Sequence, residues 1–129
     1  MESRFIYLDN AATTKPCRAA ADAFLNTVEH FGNPSSLYRL CLDSEKIINS
    51  AKDKIASRLG IDKKDLFFTS GGTEANNTAV FGAAYGRKKL GNRVITTAIE
   101  HPSVLECFKR LENEGFDVHY LTPDSSGRI

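Results

Sequence analysis

Three short runs rich in β-branched and aromatic residues, separated by two helix-like stretches, restrict the possible folds of this chain more than any other feature. The runs are Leu66–Thr69, Arg93–Thr97 and Asp117–Leu121, and the stretches are Thr73–Arg87 and Pro102–Glu114. Strand, helix, strand, helix, strand predicts an α/β architecture with a mostly parallel sheet, because each helix carries the chain back across the sheet. Gly115 is the expected stop of the second helix. The first carries Ala75, Ala79 and Ala83 at four-residue spacing, a stripe of small side chains expected to pack closely on the sheet as core.

Upstream, Phe5–Leu8 reads as a short extended segment ending at Asp9-Asn10. Pro16 suits the first position of a helix with Ala20, Phe24 and Val28 on one apolar face. Phe31-Gly32-Asn33-Pro34 ends it in a turn. A second helix is predicted over Ser44–Arg58, with Ile47, Ile48, Ala51, Ile55 and Leu59 on its stripe and Gly60 as its stop. Thr122–Gly127 reads as a turn.

Bulk properties exclude more than they identify. At 129 residues the chain suits one domain with a modest core. A net charge of +1 with scattered basic residues favours neither nucleic acid nor an anionic membrane surface. No run is long and apolar enough to span a bilayer, and Glu2, Arg4 and Asp9 stand where a secretion signal is apolar. Three widely spaced cysteines, Cys17, Cys41 and Cys107, suit a reducing cytoplasm better than a disulfide framework or zinc site. They read as small structural hydrophobes.

Chemistry is concentrated in two places. Phe67-Phe68-Thr69-Ser70-Gly71-Gly72-Thr73-Glu74-Ala75-Asn76-Asn77 reads as strand, two-glycine turn and helix start, with Thr73 able to cap the helix. This arrangement fits a plain turn. It equally fits an anion cradle, in which unpaired N–H groups and the positive helix end converge on a phosphate. His101 follows the Arg93–Thr97 strand, at the carboxyl end where open α/β sheets bind ligands, and Pro102 holds it out of helical geometry. A capping or surface histidine fits the same position. His30 and His119 read as structural.

Four segments, in order, carry a family resemblance. Tyr7-Leu8-Asp9-Asn10-Ala11-Ala12-Thr13-Thr14, Phe31-Gly32-Asn33-Pro34-Ser35-Ser36, Thr69–Asn77 and Glu100-His101-Pro102-Ser103-Val104 together resemble the cysteine desulfurases of the class V aminotransferases, which use pyridoxal 5'-phosphate (PLP). The resemblance implies the N-terminal part of a type I, aspartate-aminotransferase-like PLP fold. Residues 1–14 become a segment with a substrate-pocket-like motif, and residues 15–129 an incomplete PLP-binding large domain. Gly72 and Thr73 are implied to hold the cofactor phosphate. His101 is implied to stack on the pyridine ring and help move protons, and Asn10 and Ala12 to line the substrate pocket.

The implied reaction converts L-cysteine to L-alanine and leaves a persulfide on an enzyme cysteine, with PLP as electron sink. The sulfur then goes to an iron–sulfur scaffold or a tRNA-thiolation pathway, and the family implies a homodimer. The chain departs from the family pattern, however. The Schiff-base lysine, in its Ser-Xaa-His-Lys setting, is absent, and Cys17, Cys41 and Cys107 do not match the sulfur-accepting cysteine. Tyr38 and Cys41 stand where the family usually has histidine and glycine, which predicts an altered local loop. The family sheet also places the strand matching Leu66–Thr69 across the sheet from those matching Arg93–Thr97 and Asp117–Leu121, so exposed strand faces and edges are expected.

Two functions follow. The chain is either part of a desulfurase completed by a C-terminal polypeptide that brings the lysine and cysteine, or a non-catalytic remnant, binding or dimerisation module. Selenocysteine lyase or another class V aminotransferase is the alternative within the enzyme class.

Overall fold

A computed structural model describes residues 6–129, in two units, Met1–Leu66 and Phe67–Ile129. The expected extended segment at Phe5–Leu8 therefore falls partly outside the described residues, and residues 6–9 form no strand.

In the first unit, α1 (Arg18–Val28) is followed by α2 (Arg39–Leu59) and a short 3-10 turn, Lys63–Asp65. Cys17 is the N-cap of α1, so Pro16 lies ahead of the helix instead of opening it. The apolar face of α1 is not buried. Phe24 faces Ile47 and Ala51 of α2 across an open groove, and no α1 residue is buried, because amphipathic spacing yields core only where a second surface closes on it. Cys17 is exposed, which corrects its reading as a small structural hydrophobe, whereas Cys41 and Cys107 are buried.

Helix α2 begins five residues earlier than the apolar stripe indicates, with Tyr38 as N-cap. Cys41 therefore lies in a helical first turn with a buried side chain. At the other end Gly60 adopts φ 68°, and the N–H groups of Gly60 and Ile61 both donate to the Ala56 carbonyl. This left-handed cap is the reason the helix needs glycine there.

The second unit contains α3 (Gly72–Gly86), β1 (Arg93–Thr97), α4 (Pro102–Asn113) and β2 (Asp117–Leu121). β1 and β2 pair in parallel, Val94 opposite Val118 and Thr96 opposite Tyr120. Helix α4 ends in a second left-handed glycine: Gly115 has φ 87°, its N–H donates to Glu112, and the Phe116 N–H donates to Leu111. That turn delivers Phe116 into a core with Ala84 and Leu111, which Val80, Phe81, Val94 and Val118 surround.

Two expectations fail here. Leu66 is extended (φ −100°, ψ 121°), but residues 66–69 add no strand to the sheet, which among the described residues has the order β1–β2. Extended backbone becomes a strand only beside a neighbour that completes its ladder. The stripe Ala75, Ala79 and Ala83 is exposed, and Val80, Phe81 and Ala84 supply the packed face of α3 instead. Ala79 and Ala83 line an open, largely apolar groove of about 470 Å³ against Arg93, Val94 and Ile95 of β1. Small side chains allow close approach but do not provide the neighbour. Ile95 and Leu121 are exposed on the outer face of the sheet, as expected for the strand faces.

Candidate functional site

The segment before α3 turns sharply and leaves the helix start open. Gly71 is the N-cap, with extended backbone, and no side chain caps the helix. Thr73 therefore sits inside the first turn and is not the cap, because the helix begins two residues earlier than its cap-like side chain suggests. The first intrahelical bond runs from the Ala75 N–H to the Gly71 carbonyl, 3.1 Å. The N–H groups of Gly72, Thr73 and Glu74 precede it and have no intrahelical acceptor. A Cβ placed at Gly71 or Gly72 meets nothing within 4 Å, so the space above these donors is open.

Glu74 is the negative charge nearest this end, and it is drawn aside. Its carboxylate accepts from the Ser70 N–H at 2.7 Å and the Ser70 hydroxyl at 2.6 Å. Those two bonds, the hydroxyl first, hold its carboxyl below the usual range. The Thr69 hydroxyl donates to the Gly71 carbonyl, which further fixes the turn. Backbone donors, the positive helix end and open space suit a phosphate, beside a Glu74 carboxylate that keeps its charge and is hydrogen-bonded to Ser70.

His101 is the N-cap of α4, and Pro102 opens the helix. Its Nδ1 accepts from the Ser103 N–H at 3.1 Å and lies 2.8 Å from the Ser103 hydroxyl. Asn76, on α3, donates from Nδ2 to that hydroxyl at 2.8 Å. One chain of contacts thus runs from the first turns of α3 to the exposed imidazole. The capping role and the site role of His101 are compatible, since capping occupies one ring nitrogen and leaves the ring face open. His30 and His119 stay apart from this arrangement; His119 pairs with Asp117 through Nε2 at 3.1 Å.

Sequence reasoning did not single out Asn76 and Ser103. Both stand in the quoted motifs, and a serine two residues after a capping histidine is a readable local signal. The Asn76 contact spans 27 residues and leaves no such local signal. In the first unit, Asn10 and Ala12 are exposed in a turn where the Ala12 N–H donates to Asp9. Asn33 holds a turn of its own through the Ser35 N–H, 3.0 Å.

Comparison with known proteins identifies the family of the chain. Residues 6–129 match the aminotransferase class-V family profile. The cysteine desulfurase IscS of Methanosarcina thermophila is 41% identical over 129 residues, which cover 99% of this chain and 32% of that protein. IscS of Clostridium botulinum is 44% identical over 125 residues, covering 96% and 32%. A NifS-like protein superposes with a TM-score of 0.83 at 34% identity, covering 89% of this chain and 32% of that one. SspA in complex with cysteine gives 0.86 at 36% identity, covering 95% and 36%. The chain spans about a third of the length of the relatives it matches, and its helices and small parallel sheet are a partial version of their fold.

Proposed function

This chain belongs to the aminotransferase class-V family, and from that premise we propose that residues 67–129 carry the phosphate and ring contacts of a cysteine desulfurase's PLP site. The observation that carries the proposal is the start of α3, with no side-chain cap, two glycines and open space above them. In this reading the N–H groups of Gly72 and Thr73 bind the cofactor phosphate. The exposed His101 imidazole would meet the pyridine ring, where a stacked contact would gain dispersion. Asn10 and Ala12, in the other unit, are assigned to substrate recognition by their motif alone.

When bound, PLP supplies an electron sink for breaking bonds at the substrate's α-carbon and beyond. The phosphate end fits this chain, but the aldehyde end does not. No lysine stands in a Ser-Xaa-His-Lys setting, and the two buried cysteines are poor nucleophiles, Cys107 because burial pushes its thiol up. In this reading the covalent anchor and the sulfur acceptor are supplied by residues outside these 129, in the part of the relatives' length that this chain does not span. Conversion of L-cysteine to L-alanine, passage of sulfur to an acceptor and assembly as a dimer are proposed for that complete enzyme. A cytoplasmic setting is proposed for it, since an odd, widely spaced set of three cysteines suits a reducing compartment.

The test is complementation. The chain is co-expressed with the remaining two-thirds of a relative such as C. botulinum IscS, and alanine formation from cysteine is measured. Alanine production that His101→Ala abolishes supports the reading. A soluble complex without PLP or alanine production contradicts it and favours a non-catalytic binding module.

A further inference from the structure

The contacts on His101 fix more than its position. The Ser103 backbone N–H can only donate, so His101 Nδ1 must present its lone pair to it. Ser103 Oγ lies 2.8 Å from the same nitrogen and receives the Asn76 amide, 2.8 Å, on its own lone pair. Its hydroxyl proton is thereby free to point at Nδ1. Asn76 and Ser103 are both half-buried, which shields the bond between them, while the two contacts on His101 Nδ1 are exposed.

We infer that Asn76 and Ser103 are positioning residues that hold the neutral His101 ring in its Nε2–H form. The ring then offers any ligand beside it a hydrogen-bond donor at Nε2 and has no acceptor to spare. Resting on the reading of His101 as the residue that meets the cofactor, this means that the ligand group nearest Nε2 is an acceptor: a phenolate, carboxylate or thiolate oxygen or sulfur. Asn76 contributes from α3, so the helix that carries the phosphate donors also sets the protonation pattern of the ring on α4.

The experiment reads the ring nitrogens directly in the 129-residue chain without cofactor, by two-bond proton–nitrogen correlation at a pH where the ring is neutral. The wild-type chain is expected to favour Nε2–H over Nδ1–H by at least about tenfold. Ser103→Ala is expected to lower that ratio about fivefold, the usual net effect of one hydrogen bond, while Ser103→Thr preserves it. Asn76→Asp, whose carboxylate takes the Ser103 hydroxyl proton for itself, is expected to act like Ser103→Ala.

An Nδ1–H majority in the wild-type chain overturns the inference. So does a Ser103→Ala chain with native amide shifts and an unchanged ratio. Should Ser103→Ala fail to fold, the contrast between Ser103→Thr and Asn76→Asp decides in the same way. The readout needs no cofactor, so failure of PLP to bind would sink the functional proposal and leave this result standing.

Discussion

Replacing Leu111 by alanine tests whether the second unit has the core described above. Leu111 is 0% exposed and packs with Ala84, Phe116 and four partly buried neighbours. Three carbons leave the core, which costs about 2.4 kcal/mol of transfer free energy at ~0.8 kcal/mol per CH₂. A sealed site would add a cavity penalty of ~24 cal/mol per Å³. Leu111 also lines the groove beside β1, however, so the void opens to solvent and its walls can move. That places the expected cost near the lower end for core leucines, about 2.5 kcal/mol, or roughly a 60-fold loss in the folding equilibrium. The assay is native-state hydrogen exchange of the β1 and β2 amides, compared with Leu121→Ala on the outer face. Leu121 is 43% exposed, and its truncation should cost less than about 1 kcal/mol. Equal effects of the two substitutions, or a Leu111→Ala cost below about 1 kcal/mol, would refute the assignment of the core.

Gly72→Ala should leave stability within about 1 kcal/mol of wild type, since its Cβ meets nothing, yet weaken phosphate binding measured by calorimetry. Glu74 has a folded-state carboxyl held below the ordinary range by Ser70, so its contribution is complete above the unfolded value and is lost as pH falls through the folded one. Glu74→Gln should therefore flatten the acid limb of urea midpoints plotted against pH; an unchanged limb counts against the Ser70 contact. A thiol reagent should modify Cys17 rapidly and Cys41 and Cys107 only on unfolding. Fast labelling of Cys107 in the folded chain would show that it is not buried.

Where a local rule has a local cause, the sequence was readable. β1 and β2 have the predicted bounds, and Gly60 and Gly115 end their helices because a left-handed residue is needed at each place. Pro102 and His101 mark the start of α4 for similar reasons. Expectations failed where a feature depends on a distant partner. Residues 66–69 have strand character without a ladder, and the alanine stripe of α3 and the Phe24 face of α1 border grooves. In the candidate site, the glycine turn and His101 were legible from their motifs. The paired Glu74 carboxylate and the Asn76–Ser103 contact depend on how side chains turn in three dimensions, and no periodicity encodes that.

The central claim is that the start of α3 is a phosphate site with His101 beside the ligand's ring. It is tested most directly by amide and imidazole chemical-shift mapping of the 129-residue chain titrated with PLP, and in parallel with pyridoxal and inorganic phosphate. The account predicts that PLP and phosphate both move the Gly71, Gly72 and Thr73 amides, that only PLP also moves the His101 ring, and that pyridoxal moves neither strongly. Shifts confined to lysines, or an equal response to pyridoxal, would contradict it.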